Sequence, residues 1–161
     1  GGDYRPLPAV LAWAITVAAG SGKYVAYDQD GTDGSEIAAG ILMDNVNAMG
    51  QRLQEGLEAA LGQHPNVGDI RGRGLFRGIE LVADRDSKAV LDPALKTHAK
   101  IKKAAMARGL MSYPMGGTID GKLGDHVLLA PPFIVTEQHV EQIVDLLAQS
   151  IDQALASQGN A

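Results

Sequence analysis

Beyond residue 44 the apolar positions recur every three to four residues, whereas before it they fall into short runs with no helical period. Val46, Met49, Leu53, Leu57 and Leu61 form one stripe. That spacing predicts a helix, with Asp44 or Asn45 able to cap its start and Gly62 to end it. Residues 67–82 read as extended, interrupted by Gly68, Gly72, Gly74 and Gly78, and the glycines of 72–78 allow a bend or bulge in a paired strand. Asp92 followed by Pro93 predicts a helix start, because a capping carboxylate precedes a proline that needs no amide partner. This helix carries Leu95, His98, Ile101 and Ala105 on one face and stops at Gly109. Residues 110–113 and 126–130 read as short strands flanking a glycine-rich loop at 115–124. Thr136 then caps a final helix with the stripe Val140, Ile143, Val144, Leu147, Ile151 and Leu155.

The first 46 residues follow a different grammar. Residues 13–17 and 23–27 are strand candidates joined by the turn Gly20-Ser21-Gly22, and residues 36–43 are a third candidate after the turn-rich stretch 28–35. The expected fold class is α+β: a β-rich segment over 1–46, then a few-stranded sheet covered by helices over 47–161. The apolar run at residues 9–19 is about half of what a membrane span needs. Asp3, Pro6 and Pro8 also spoil it as a signal peptide, so a buried strand is the expectation.

Composition narrows the function. With 45% hydrophobic and 20% charged residues a buried core is feasible, and seven aromatic residues make that core aliphatic. A formal net charge of -5 argues against a nucleic-acid partner. The chain is expected to be soluble and cytoplasmic, with no membrane partner. There is no cysteine, hence no disulfide or thiolate chemistry. His64, His98, His126 and His139 show no metal-ligand spacing, so no metal residue is assigned.

Candidate motifs mostly fail on their own terms. The stretch 28–34 lacks the glycine and the bidentate glutamate of a calcium loop at the required positions. Gly20-Ser21-Gly22-Lys23 has Tyr24 where a phosphate loop needs a hydroxyl on magnesium. Gly72 to Gly78 is one residue too long for a dinucleotide fingerprint. His126 beside Asp125, and Asp120, are the acid–base candidates, yet adjacent strand residues face opposite ways. Met115-Gly116-Gly117-Thr118 could offer amides to an anion, but loop geometry explains the glycines equally well. No catalytic and no cofactor-binding residue is assigned.

Two resemblances add to this reading. The run Val67-Gly68-Asp69-Ile70-Arg71-Gly72-Arg73-Gly74-Leu75-Phe76-Arg77-Gly78-Ile79-Glu80-Leu81-Val82 resembles the small C-terminal domain of class III, pyridoxal-phosphate-dependent aminotransferases. So do Gly109-Leu110-Met111-Ser112-Tyr113-Pro114-Met115-Gly116-Gly117 and Gly124-Asp125-His126-Val127-Leu128-Leu129-Ala130-Pro131-Pro132-Phe133. The resemblance covers residues 47–157. It implies a few-stranded sheet under helices, packed against a large domain that supplies the cofactor lysine, the acid facing the pyridine nitrogen and the phosphate cup. None of these has a counterpart in the sequence. Many members place a substrate-binding arginine just before the Pro-Pro pair, where this chain reads Leu128-Leu129-Ala130. By resemblance the loop 115–124 and the strand after it lie towards the substrate side.

Ile15-Thr16-Val17-Ala18-Ala19-Gly20-Ser21-Gly22-Lys23-Tyr24-Val25-Ala26-Tyr27-Asp28, continued by Asp33-Gly34-Ser35-Glu36-Ile37-Ala38-Ala39-Gly40-Ile41-Leu42, is similar instead to a tailed-phage head decoration protein. That family implies a β-rich, typically trimeric capsid protein. Together the resemblances lead to the expectation of a non-catalytic chimera, recombined or engineered, joined near residues 43–48. The Gly-Gly start fits a processed tag or fragment boundary. Cofactors are expected to be none, and a homo-oligomer is expected because a domain cut from a larger enzyme exposes apolar surface. The alternatives are a class III aminotransferase fragment, which would bring in pyridoxal phosphate, and a capsid decoration protein.

Overall fold

A computed structural model describes residues 35–156. The strands expected at 13–17 and 23–27, the run at 9–19 and the stretch 28–34 lie outside the described residues. The element order is α1 (Ser35–Leu61), β1 (Val67–Arg73), β2 (Phe76–Leu81), a 3-10 turn (Pro93–Leu95), α2 (Thr97–Ala107), β3 (Tyr113–Ile119), β4 (Leu123–Leu129) and α3 (Glu137–Ala156). The strands form one antiparallel sheet in the order β1-β2-β4-β3. The α+β class expected from the sequence is the one observed.

One face of the sheet carries the core. Ile79 and Leu81 of β2, with Val127 and Leu129 of β4, turn inward and are buried under the helices. They meet Leu53, Leu57 and Leu61 of α1, Ile101 and Ala105 of α2, and Val140, Val144, Leu147 and Ile151 of α3. The stripes read from spacing are therefore the buried faces. An aliphatic side chain fully withdrawn from water contributes about 1.5–3 kcal/mol each, so this layer is what holds the helices to the sheet. At the rim, Arg52 of α1 pairs with Glu137 of α3 at 2.8 Å, and His64, in the turn after α1, pairs with Asp152 of α3 at 3.2 Å.

Three boundaries differ from expectation, each for a physical reason. Residues 36–43, expected as a strand, are helix, because α1 begins at Ser35 and runs unbroken to Leu61. Glu36, Ala38, Ala39, Leu42 and Met43 are good helix formers and outweigh the two isoleucines. The division expected at 46/47 thus falls inside α1. Asn45 is consequently not a cap. Its side-chain amide donates to the carbonyls of Phe133 (2.6 Å) and Val135 (3.0 Å), tying α1 to the segment between β4 and α3. Asp92 does cap, with Ala94 N–H donating to its carboxylate at 2.9 Å, but what it starts is the 3-10 turn. Lys96, in the left-handed region, separates that turn from α2.

The glycine-rich stretch 115–124 is mostly strand. Ile119, Asp120, Gly121 and Lys122 make a two-residue hairpin turn, closed by Lys122 N–H donating to Ile119 at 3.0 Å. Asp120 (φ 51°) and Gly121 (φ 71°) are both left-handed, the type I′ geometry that Asp-Gly suits. Gly121→Ala meets no neighbouring atom. It is expected to cost only about 1 kcal/mol of backbone strain, measurable by urea denaturation. The bend expected at 72–78 is the turn between β1 and β2, and β1 has a separate register shift at Gly68, between Val67 and Asp69.

Candidate functional site

The acid–base candidates separate in space. Asp125 and His126 are neighbours on β4, so they leave opposite faces of the sheet. Asp125 turns under the helices and is 4% exposed, whereas His126 lies on the uncovered face. Asp120 stays at the exposed tip of the hairpin, in the turn before β4. The two side chains do not meet.

Asp125 has a different partner, 27 residues away on α2. Its Oδ1 accepts from His98 Nδ1 at 2.6 Å and from the His98 backbone N–H at 3.3 Å. The second bond matters because Lys96, the residue before α2, offers no side-chain cap. A carboxylate delivered from the sheet therefore satisfies an orphan amide at the helix start and meets the positive end of its dipole. Gly116, opposite Asp125 in the β3–β4 ladder, lies against the imidazole, and a Cβ there would stand 2.6 Å from His98 Nδ1. The glycine is needed for the ring to reach the carboxylate.

Beside this pair is a cavity of about 210 Å³, lined by Pro93, His98, Gly116, Lys122 and Asp125 among others. An imidazole oriented by a buried carboxylate is a familiar general base. Here it faces no hydroxyl or thiol, because the remaining lining residues are Gly117, Gly121 and Gly124. The pair caps and positions α2. A second cavity, of about 460 Å³, runs between the first half of α1 (Leu42, Asn45, Met49) and residues 133–137. It is largely apolar, with Ile134 exposed at its mouth.

On the uncovered face, Arg71 of β1 is held between Asp69 (2.6 Å) and Glu80 (3.0 Å). His126 pairs with Thr118 Oγ1 at 3.2 Å and stands next to Glu80 in the β2–β4 register. Leu128 occupies this face beside Tyr113, and Phe76 is exposed near its end. Burial lowers the His126 imidazole from its ordinary value, and the Arg71 charge lowers it further, against opposition from Asp125 and Glu80. The sign of its effect on stability follows. Above the ordinary imidazole range both states are neutral; as pH falls through it the unfolded chain takes the proton first, so this residue disfavours the fold towards acid. Arg71→Met is expected to raise the His126 midpoint in an imidazole NMR titration. An unmoved midpoint would show that the Arg71 charge is not felt there.

Arg77 is buried beneath α1, where it donates to the Gly50 carbonyl at 2.8 Å while its Nε finds no partner. Burial lowers its pKa from the ordinary arginine value. Among the described residues no three His, Asp or Glu side chains gather as metal ligands, and no helix is long and apolar enough to cross a membrane.

Comparison with known proteins places this architecture. The class III aminotransferase family matches residues 35–151, which takes in every described element except the last turn of α3. The chain belongs to the class III aminotransferases. Among curated relatives, an uncharacterized aminotransferase of Schizosaccharomyces pombe is 42% identical over 116 residues, 72% of this chain and 25% of its own length. The uncharacterized aminotransferase YodT of Bacillus subtilis is 30% identical over 164 aligned positions, 94% of this chain and 37% of its own. A taurine–pyruvate aminotransferase of Bilophila wadsworthia is 36% identical over 103 residues, 64% of this chain and 22% of its own.

Solved structures agree. An aminotransferase of Bacillus anthracis superposes with a TM-score of 0.65 at 32% identity, covering 73% of this chain and 25% of that one. A thermostable omega transaminase mutant from Pseudomonas jessenii gives 0.61 at 36%, covering 73% and 24%. The chain thus spans about a quarter of the length of most such relatives. A second family, the bacteriophage lambda head decoration protein D, matches residues 2–59 and overlaps the first through most of α1.

Proposed function

We propose that this chain is the small-domain portion of a class III, pyridoxal-phosphate-dependent aminotransferase and carries no activity by itself. The observation that supports this most directly is the four-stranded antiparallel sheet with helices on one face, matched over residues 35–151 by proteins about four times its span. Electron-sink chemistry needs a lysine, an acid at the pyridine nitrogen and a phosphate cup held around one cofactor. On this reading those groups come from outside the described residues. The cavity that contains a lysine is about 210 Å³, below the usual range of a ligand pocket, and its carboxylate is engaged by His98. No step is therefore assigned to the cofactor here.

The arginine that many members use for a substrate carboxylate has Leu128 and Leu129 at its place. Leu129 is buried in the core and Leu128 lies on the uncovered face beside Tyr113. On this reading a carboxylate-binding role does not pass to this strand. The test is direct. The chain is mixed with pyridoxal phosphate and treated with borohydride, then examined by peptide mapping. A stoichiometric adduct on one lysine would refute the reading; scattered low-level labelling of several lysines is the expected result.

A second reading, a chimera with a decoration-protein segment, is favoured by the match over residues 2–59. Against it, α1 crosses the expected join at 43–48 without interruption, and the Bacillus subtilis relative aligns over 94% of the chain. The encoding locus decides between them: one genomic reading frame in one organism excludes a laboratory fusion.

A further inference from the structure

β1 is an edge of the sheet, with β2 on one side and no strand on the other among the described residues. The opposite edge, β3, has α2 packed on it. On β1 the first two outward carbonyls are covered by side chains from the loop after β2. Lys88 Nζ donates to Gly68 O at 2.5 Å, and Arg85 Nη1 reaches Val67 O at 3.5 Å. Because the Gly68 carbonyl faces away from β2, alternation along the strand turns the backbone groups of Ile70 and Gly72 outward as well. Asp69 and Arg71, between them, are 48% and 62% exposed.

We propose that the outer edge of β1 is a pairing surface for a second copy of this chain, and that Lys88 is its gate. An antiparallel pair centred on Ile70 sets Asp69 opposite Arg71 of the second copy, and does so twice by symmetry. Ile70 then stands opposite its own counterpart. The edge is kept weak by three devices: the bulge at Gly68, the shortness of the free rim, and the ammonium seated on the Gly68 carbonyl. An incoming amide has to displace that ammonium and strip its water. Neutralising Lys88, as acylation of its Nζ does, removes the obstacle without touching the core, since Lys88 is exposed.

The test compares the unmodified chain with Lys88→Gln and Lys88→Arg by sedimentation equilibrium over a wide concentration range. Lys88→Gln is expected to tighten self-association about tenfold, the scale of one charge-assisted hydrogen bond, while Lys88→Arg keeps the charge on the donor and leaves association unchanged. Amide hydrogen exchange at Ile70 and Gly72 should slow with concentration in Lys88→Gln. An association constant unmoved by Lys88→Gln overturns the proposal. So does tightening without protection at Ile70 and Gly72, or an equal effect of both substitutions. Circular dichroism confirms that each variant keeps its helices, so an unfolded variant is not mistaken for either outcome.

Discussion

Asp125→Ala is expected to lower the stability of the fold by about 3 kcal/mol, because it strips a buried carboxylate from two donors at once. The His98 backbone N–H at the start of α2 loses its acceptor, and the imidazole loses the group that holds it against Gly116. Neither donor has another acceptor within the cap, since Lys96 supplies none. For a chain of this size that corresponds to a drop in Tm of about 6–12 °C. Asp125→Asn separates the two roles. An amide oxygen can still accept from the backbone, so Asn should recover part of the loss and leave the charge-assisted bond to His98 as the remainder. His98→Phe supplies the other arm. If Asp125→Ala costs under 1 kcal/mol by urea denaturation near neutral pH, the carboxylate is not the cap of α2 and the account of this corner is wrong.

How this pair escaped a reading of the sequence explains what such a reading can reach. The helix stripes were legible because periodicity is local: Leu53, Leu57 and Leu61, or Val140, Val144, Leu147 and Ile151, announce their face within a few turns, and each is buried. Asp125 and His98 are 27 residues apart on different elements, and nothing near either one names the other. His98 even fell on the apolar stripe of its helix, where it reads as a core residue. The adjacency of Asp125 and His126 drew attention to a pair that the pleat of β4 forbids. The hairpin turn was readable, since Asp120-Gly121 is a strong type I′ signal. It was hidden by the density of glycines around it, Gly116, Gly117 and Gly124, which suggested loop rather than strand. The first turns of α1 were missed for the opposite reason: Ile37 and Ile41 suit a strand, and only the neighbouring alanines, leucine and methionine tip the balance.

The uncovered face of the sheet also bears on the proposed role. A four-stranded sheet with helices on one side leaves the other side to water or to something else, and here that side mixes Phe76, Tyr113 and Leu128 with the Asp69–Arg71–Glu80 group. Phe76 and Tyr113 are exposed and Leu128 is half-buried beside Tyr113, and large exposed apolar patches are uncommon on a domain that works alone. The arrangement accords with a chain that spans about a quarter of relatives such as the Schizosaccharomyces pombe aminotransferase.

Gly50→Ala is expected to destabilise the fold by about 2–3 kcal/mol, although helix propensity by itself predicts a gain of about 1 kcal/mol from the same change. The conflict is settled by what the methyl group would meet. A Cβ on Gly50 would stand 2.5 Å from the carbonyl carbon and oxygen of Gly74, which are backbone atoms of the β1–β2 turn. That turn cannot simply give way. Its Leu75 is buried in the core, and Gly74 is itself in the left-handed region, where an added Cβ would stand 3.0 Å from the Val46 side chain. Lifting α1 instead would pull the Gly50 carbonyl from Arg77, leaving a buried guanidinium with no bond in place of one. Gly56, two turns further along the same helix, is the internal control. A Cβ there approaches only the end of the Val144 side chain, at 3.0 Å, and that methyl can rotate or shift. Gly56→Ala should therefore be neutral or slightly stabilising. Urea denaturation of the two variants side by side measures the difference directly. Opposite signs, or a gap of at least 2 kcal/mol, are the expected result; equal values would mean that α1 and the β1–β2 turn are not in backbone contact.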